Sequence, residues 1–212
     1  MKRTLFSYSL TALALLSLAG CSSTSAPPKK VAKKAPEPVT GQSAIFQMFQ
    51  VARTWAPDAM LLKVENGTIP EAAPKEAKYG LWRASFVSLE KKSKRDYVYS
   101  VSDSDGGIIK GARAGSDSPY VANPQTRPFA IQEVKIDTPA ALAAALAEID
   151  KDKDMKKVLA ENKDLPVQYL LDWTGPTAVK PTWRVIFGAT ISTSKFSVFI
   201  DATTGKFVKK LR

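Results

Sequence analysis

Two stretches set far apart in this chain alternate apolar and polar residues in the same way, and that repetition restricts the fold more than any other feature. Gly80-Leu81-Trp82-Arg83-Ala84-Ser85-Phe86 corresponds to Pro181-Thr182-Trp183-Arg184-Val185-Ile186-Phe187. Further on, Tyr97, Tyr99, Val101, Gly106, Ile108 and Ile109 correspond to Phe196, Val198, Ile200, Gly205, Phe207 and Val208. A period of two residues is the mark of a half-buried strand, so each copy predicts strand, loop, strand, tight turn, strand. The turns, residues 102–107 and 201–205, hold Asp or Ser to bind the turn backbone and Gly for the left-handed position.

Helical spacing precedes each block. Ile45, Phe46, Phe49, Ala52 and Trp55 mark one face of a first helix, Pro57 stops it, and Met60, Leu62 and Val64 predict an alternating strand;. In the second copy Thr138 is the expected cap, Pro139 the first helical residue, and Leu142, Leu146 and Ile149 the apolar stripe;. The charged residues from Asp150 to Lys157 leave open one long helix or two, and Pro166 precedes a strand of Val167, Tyr169, Leu171 and Trp173. Amphipathic helices need an apolar surface, and antiparallel strands buried on one face supply it. The expected fold class is therefore α+β, two repeated units with helices packed on one face of an antiparallel sheet. Residues 111–128 lack periodicity and predict an inter-domain linker or a binding loop, after which residues 129–136 return to strand-like composition.

The N-terminus carries a different signal. Lys2 and Arg3 precede an apolar run from Leu10 to Ala19 that is too short to span a bilayer, as in a secretory signal peptide;. The following Leu18-Ala19-Gly20-Cys21 resembles the lipobox of bacterial lipoproteins, which implies cleavage after residue 20 and lipidation of Cys21 by diacylglycerol and a further acyl chain. Several chains on one residue make a stable anchor where one chain would not. Ser22, standing where an aspartate would imply inner-membrane retention, favours the outer membrane. Residues 21–40 are rich in Pro, Ala, Lys and Ser, with almost nothing to bury, so they read as a lipidated tether. Its lysines either solvate the tether or touch anionic head groups.

Removing Lys2 and Arg3, then Lys29, Lys30, Lys33, Lys34 and Glu37, brings the net charge from +11 down to +6 for the remainder. Export takes the chain away from nucleic acid, so the basic balance points to the anionic envelope instead. The single cysteine is already assigned, leaving an ordinary hydrophobic core and no disulfide to hold the fold;.

The segments Trp183-Arg184-Val185-Ile186-Phe187 and Phe196-Ser197-Val198-Phe199-Ile200-Asp201-Ala202-Thr203-Thr204-Gly205-Lys206-Phe207-Val208 are similar to the closing hairpin of a PepSY domain, a strand ending in Asp-Ala-x-Thr-Gly followed by another strand. The resemblance covers residues 137–212 well and extends over 43–110, where Ser102-Asp103-Ser104 replaces the Asp-Ala-Thr segment. It implies tandem small helix-and-sheet modules: residues 41–128 as a degenerate first unit with its linker, and residues 129–212 as the second. It also implies binding or inhibition of partners, an envelope peptidase among them, in place of catalysis.

The residue inventory agrees with that implication. The chain has no histidine, which excludes Ser-His-Asp and Cys-His nucleophiles and histidine metal sites, and no metal or other cofactor is expected;. An envelope-polymer hydrolase using paired carboxylates is the alternative, but Glu90, Asp96, Asp150, Asp152 and Asp154 sit in charged runs or turns. Asp103-Ser104-Asp105-Gly106 lacks the later ligands of a calcium loop and reads as a turn. The expectation is a binding protein that reaches the membrane through its lipid and recognises an envelope protein. Its contact residues would be Arg83, Arg184, Ile186 and Phe199, on the sheet face away from the helices. These residues could instead pack one repeat against the other.

Overall fold

Thr40 stands in extended backbone and its side chain accepts from the Ser43 amide, which starts helix α1, Gly41–Trp55;. In the computed structural model, which describes residues 35–173, 175 and 180–211, this helix ends at Ala56, ahead of Pro57. The signal segment, Cys21 and the lysines of the tether lie outside the described residues. Strands β1 (Met60–Gly67), β2 (Leu81–Ser88), β3 (Ser93–Ser100) and β4 (Gly111–Pro119) follow. A short 3-10 turn (Ile131–Glu133) leads to α2 (Thr138–Ile149) and α3 (Lys153–Glu161). The chain then forms β5 (Val167–Asp172), β6 (Thr182–Phe187), β7 (Phe196–Asp201) and β8 (Phe207–Leu211).

Among the described residues these eight strands make one antiparallel sheet in the order β4-β3-β2-β1-β5-β6-β7-β8. The three helices pack against it, so the fold is α+β as expected. The halves join at the β1–β5 pair, where Val64 faces Leu171 and Glu65 faces Leu170. The core runs through that seam. Tyr79 meets Trp82 edge-on at 5.7 Å and Tyr169 at 5.8 Å, and Tyr169 meets Trp183 at 6.4 Å. Each such ring pair adds about 0.5–1.5 kcal/mol beyond the area it buries.

Both tryptophans are fully buried and hold a helix start in place. The Trp82 indole donates to Val39 O (3.1 Å) just before α1, and the Trp183 indole donates to Ile136 O (2.7 Å) just before α2. The helix N-termini converge there. Asp137, in place of the expected Thr138, caps α2, and its carboxylate accepts from Thr138 N (2.7 Å) and also from Gln42 N (2.9 Å) of α1. A carboxylate between two helix starts complements the positive ends of both dipoles. The Thr138 hydroxyl instead donates to Ala77 O (2.7 Å) and accepts from Gly41 N (3.2 Å). Gly41 is required at this crossing, since a Cβ would lie 2.8 Å from both Trp183 and Thr138.

Other expectations need correction. The apolar stripe of α2 is Ala141, Ala145 and Ile149, whereas Leu146 is exposed, because small side chains let the helix lie close to the sheet. Phe46 is exposed, with Ala44, Ile45 and Met48 taking the buried face of α1. A bulge between Leu61 and Lys63 puts Leu61 with Val64 in the core in place of Leu62;. Residues 111–119, expected as linker or loop, form edge strand β4, whose residues bury little and so show no period. The third strand of the first copy therefore starts at Gly111, after a wide turn that includes Ile108 and Ile109. Residues 129–136 contain a bridge from Phe129 to Leu61 and the 3-10 turn, not a strand. The charged run breaks at residues 150–152, where Asp152 caps α3 as a separate helix.

Candidate functional site

The buried indoles decide which residues reach the other side of the sheet. Successive side chains of a strand point to opposite faces. With Trp82, Ala84 and Phe86 of β2 and Trp183, Val185 and Phe187 of β6 in the core under the helices, Arg83 and Arg184 must emerge on the far face. No helix packs there among the described residues, although in the first half Ile69 and Ala72 lie against Leu81 and Val101 beside Val98. The pairing adds neighbours: Arg184 lies opposite Phe199 of β7, and Phe199 lies opposite Lys209 of β8.

These three side chains form a cluster. The Arg184 guanidinium is 5.3 Å from the Phe199 ring centre, and the Lys209 ammonium is 4.8 Å from it. Arg184 Nε donates to Ser197 Oγ at 3.1 Å, which fixes the planar group. Burial pushes the Arg184 guanidinium below its ordinary value, against the opposing pull of Asp172, though an arginine at such a site keeps its charge;. Phe199 and Arg184 are half-buried, and Lys209 is exposed. A cation on an aromatic face keeps one edge free to meet an anion, which suits recognition better than storage of stability.

In the other half Arg83 is exposed and has no ion-pair partner among the described residues. Gly67 makes room for it, since a Cβ there would come within 2.8 Å of Arg83 Nη1. Arg83 borders a shallow depression of about 350 Å³ with Lys63, Glu65, Ser85, Asp96 and Val98. Its floor is polar and already paired: Lys63 holds Glu65 at 2.6 Å, and Ser85 donates to Asp96.

The four residues expected at the contact surface are thus placed differently. Arg83, Arg184 and Phe199 reach the uncovered face; Ile186 is 2 % exposed, with Gln168 and Ser197 as cross-strand neighbours and Arg184 leaning onto Ser197. It supports the face from beneath. Ser197 and Ser100 are buried as well, the latter donating to Ser102 O at 2.6 Å. Packing of one repeat upon the other does not use this face, because the halves meet edge to edge through β1 and β5.

Sequence reasoning missed Lys209, which reaches the Phe199 face only through a bulge in the β7–β8 pairing, and Arg113 of β4, which lies opposite Val98 on the same face. It also missed a groove of about 760 Å³ between α1 and the 3-10 turn, bordered by Gln42, Phe46, Ile131, Gln132 and Lys135. The carboxylates of the alternative reading hold structure together. Asp150 pairs with Lys156 (3.1 Å), Asp152 caps α3, and Asp96 accepts from Ser85. Asp103 accepts from Lys110 N (2.8 Å), so it belongs to the turn. Among the described residues no group of three or more His, Cys, Asp or Glu could hold a metal ion, and no helix is long and apolar enough to cross a membrane.

No family model and no curated protein matches the chain. Among solved structures, the crystal structure of a candidate lipoprotein from Clostridium difficile 630 is similar, with a TM-score of 0.44 and 8 % identity. The match covers 85 % of this chain and 95 % of that one. The functional reading therefore rests on this chain's own residues.

Proposed function

We propose that this chain is a lipid-anchored binding module of the bacterial cell envelope, built from two PepSY-like units and acting through the sheet face opposite the helices. The observation that carries the reading is the Arg184–Phe199–Lys209 cluster, with Arg83 exposed on the same face. Arginine and aromatic residues are enriched at binding hot spots, and these stand on a face that no helix covers among the described residues. The lipobox supplies the anchor, and a tether rich in proline and lysine lets the folded part stand away from the membrane. In this reading the partner is an envelope protein, possession of the anchor places the module beside it, and the outer membrane is the expected location. Regulation or inhibition of an envelope enzyme such as a peptidase follows as the role of a binder that carries no histidine and no free thiol.

The test uses the full-length chain in its own host. Cys21→Ser should abolish incorporation of labelled fatty acid and release the protein from membranes; continued labelling removes the anchor from the reading. A photocrosslinking residue at Arg83 or Phe199 should give one discrete protein adduct, with none from the same residue at Lys157 on α3. Equal adducts from both faces, or none from the sheet, would count against a binding face.

A further inference from the structure

The strand pairing places one residue from every strand in a single line across the face away from the helices, Leu170 within it being buried. From one edge to the other it reads Arg113, Val98, Arg83, Glu65, Leu170, Arg184, Phe199, Lys209. Directly paired residues share a face, so these side chains stand side by side. Taken outward from the Glu65–Leu170 seam, each half gives the same triplet: arginine, apolar residue, cation. Glu65, the one carboxylate in the line, is neutralised by Lys63 at 2.6 Å.

The neighbouring line is different. It holds Lys63 together with Asp96, Asp172 and Asp201, of which Asp96 is bound by Ser85 and approached by Lys94, and Asp201 accepts the Thr203 and Thr204 amides. The positive charge is thus a stripe one residue wide, bordered by carboxylates on one side; on the other side stand uncharged residues, with Leu81 buried against Ile69, Ala72 and Val101. A flat anionic bilayer would meet the stripe and its acidic border together, and a polyphosphate-like polymer would gain nothing from Val98 and Phe199. A narrow ligand carrying both carboxylates and apolar groups matches both features.

Spacing narrows it further. Neighbouring strands lie about 4.8 Å apart, so each triplet presents cation, apolar residue and cation at intervals of about 4.8 Å. One face of an α-helix presents residues i, i+3 or i+4, and i+7 at intervals of about 5.2 Å. Resting on the binding-module reading above, the geometry points to an acidic amphipathic helix of a partner protein as the occupant of this stripe, with Asp or Glu flanking an apolar residue at three-to-four-residue spacing. Its carboxylates meet Arg83 and Arg113 in one half and Arg184 and Lys209 in the other, and its apolar side chains meet Val98 and Phe199. A helix crossing the whole line, roughly 34 Å, would need about 22 residues.

The probe is a synthetic helical peptide of about 22 residues with Glu at i and i+7 and Leu between them. Its controls are a scrambled peptide of the same composition, a peptide with Lys in place of Glu, and vesicles of phosphatidylglycerol. The full chain should bind the patterned peptide at least about tenfold tighter than the scrambled one. Arg83→Glu with Arg113→Glu, both exposed positions, should remove that preference, leave the thermal midpoint unchanged, and create binding to the Lys peptide. Equal binding of patterned and scrambled peptides overturns the proposal, as does binding to vesicles with the same sensitivity to the double change. Sheet-face crosslinking in the host together with failure of the peptide arm would sink the helix and spare the binding module. Failure of both would sink both.

Discussion

Replacing Thr138 with valine tests whether the two halves are held at the convergence of their helix starts. Valine keeps the shape of threonine and removes the hydroxyl, which is fully buried and joins Ala77 O at 2.7 Å to Gly41 N at 3.2 Å. Gly41 N is one of the first amides of α1, which have no partner inside the helix. Each buried backbone group left without a partner costs about 1–3 kcal/mol, so losing both should cost about 2–6 kcal/mol in all. Thr138→Ser keeps the hydroxyl and loses a methyl group, at about 1 kcal/mol. The assay is urea unfolding of the mature chain with Cys21→Ser, following tryptophan fluorescence, since Trp82 and Trp183 both report on this junction. The midpoint should fall in the order wild type, serine, valine, with the slope unchanged. A valine variant as stable as wild type, or more stable than serine, would refute the bridging role of the hydroxyl.

Gly41→Ala should destabilise by about 1–3 kcal/mol in the same assay, although alanine is the better helix former, because its Cβ would press on Trp183 and Thr138; a gain in stability would refute the close approach;. Tyr169→Phe should be neutral or stabilising by about 1 kcal/mol, since the Tyr169 hydroxyl is buried without a hydrogen-bond partner among the described residues, and a loss above that would mean the hydroxyl is used;. The chain should lose stability in acid. Burial of Asp58 would raise its carboxyl, but donation from the Glu90 amide and the Ser88 hydroxyl outweighs this and holds it below the ordinary 3.8. The Arg95 hydrogen bond likewise lowers Asp117, with the Trp55 indole also donating to it. A depressed carboxylate stabilises above its unfolded value and loses that contribution as pH falls through the folded one. Thermal midpoints should therefore fall as pH drops below about 4. Asp58→Asn should flatten part of that slope, and an unchanged slope would remove Asp58 from the account.

What could be seen in the sequence was what burial writes into it. The phase of Trp82, Ala84 and Phe86 and of Trp183, Val185 and Phe187 showed which residues lie under helices, and so showed Arg83 and Arg184 on the other side. Edge strand β4 was hidden because Gly111–Pro119 is nearly all solvated, so no face had to be apolar. The stripe of α2 misled because alanine carries little hydrophobic signal, yet Ala141 and Ala145 are fully buried. Asp137 and Thr138 exchanged roles because a cap is assigned from local spacing, whereas Ala77 and Gly41 reach Thr138 from distant parts of the chain. Ile186 read as exposed by alternation alone, yet it is buried between Gln168 and Ser197 of the neighbouring strands.

The cross-sheet line on the far face depends on this same junction. A binding row is useful only if its members keep their spacing, and here the row crosses a seam between halves joined by one strand pair. That seam lies between Glu65 of β1 and Leu170 of β5, where slippage by one residue would turn every side chain of one half to the wrong side;. Two features oppose slippage. Asn66 donates from its side chain to Gln168 (2.8 Å) and accepts from Tyr169 N (2.6 Å), which ties the two strands at a defined register. On the helix side, Asp137 and Thr138 bind α1 to α2 across the same seam. The expense of burying polar groups at the junction is therefore repaid on the opposite face, where Arg83 and Arg184 are held in one line three strands apart.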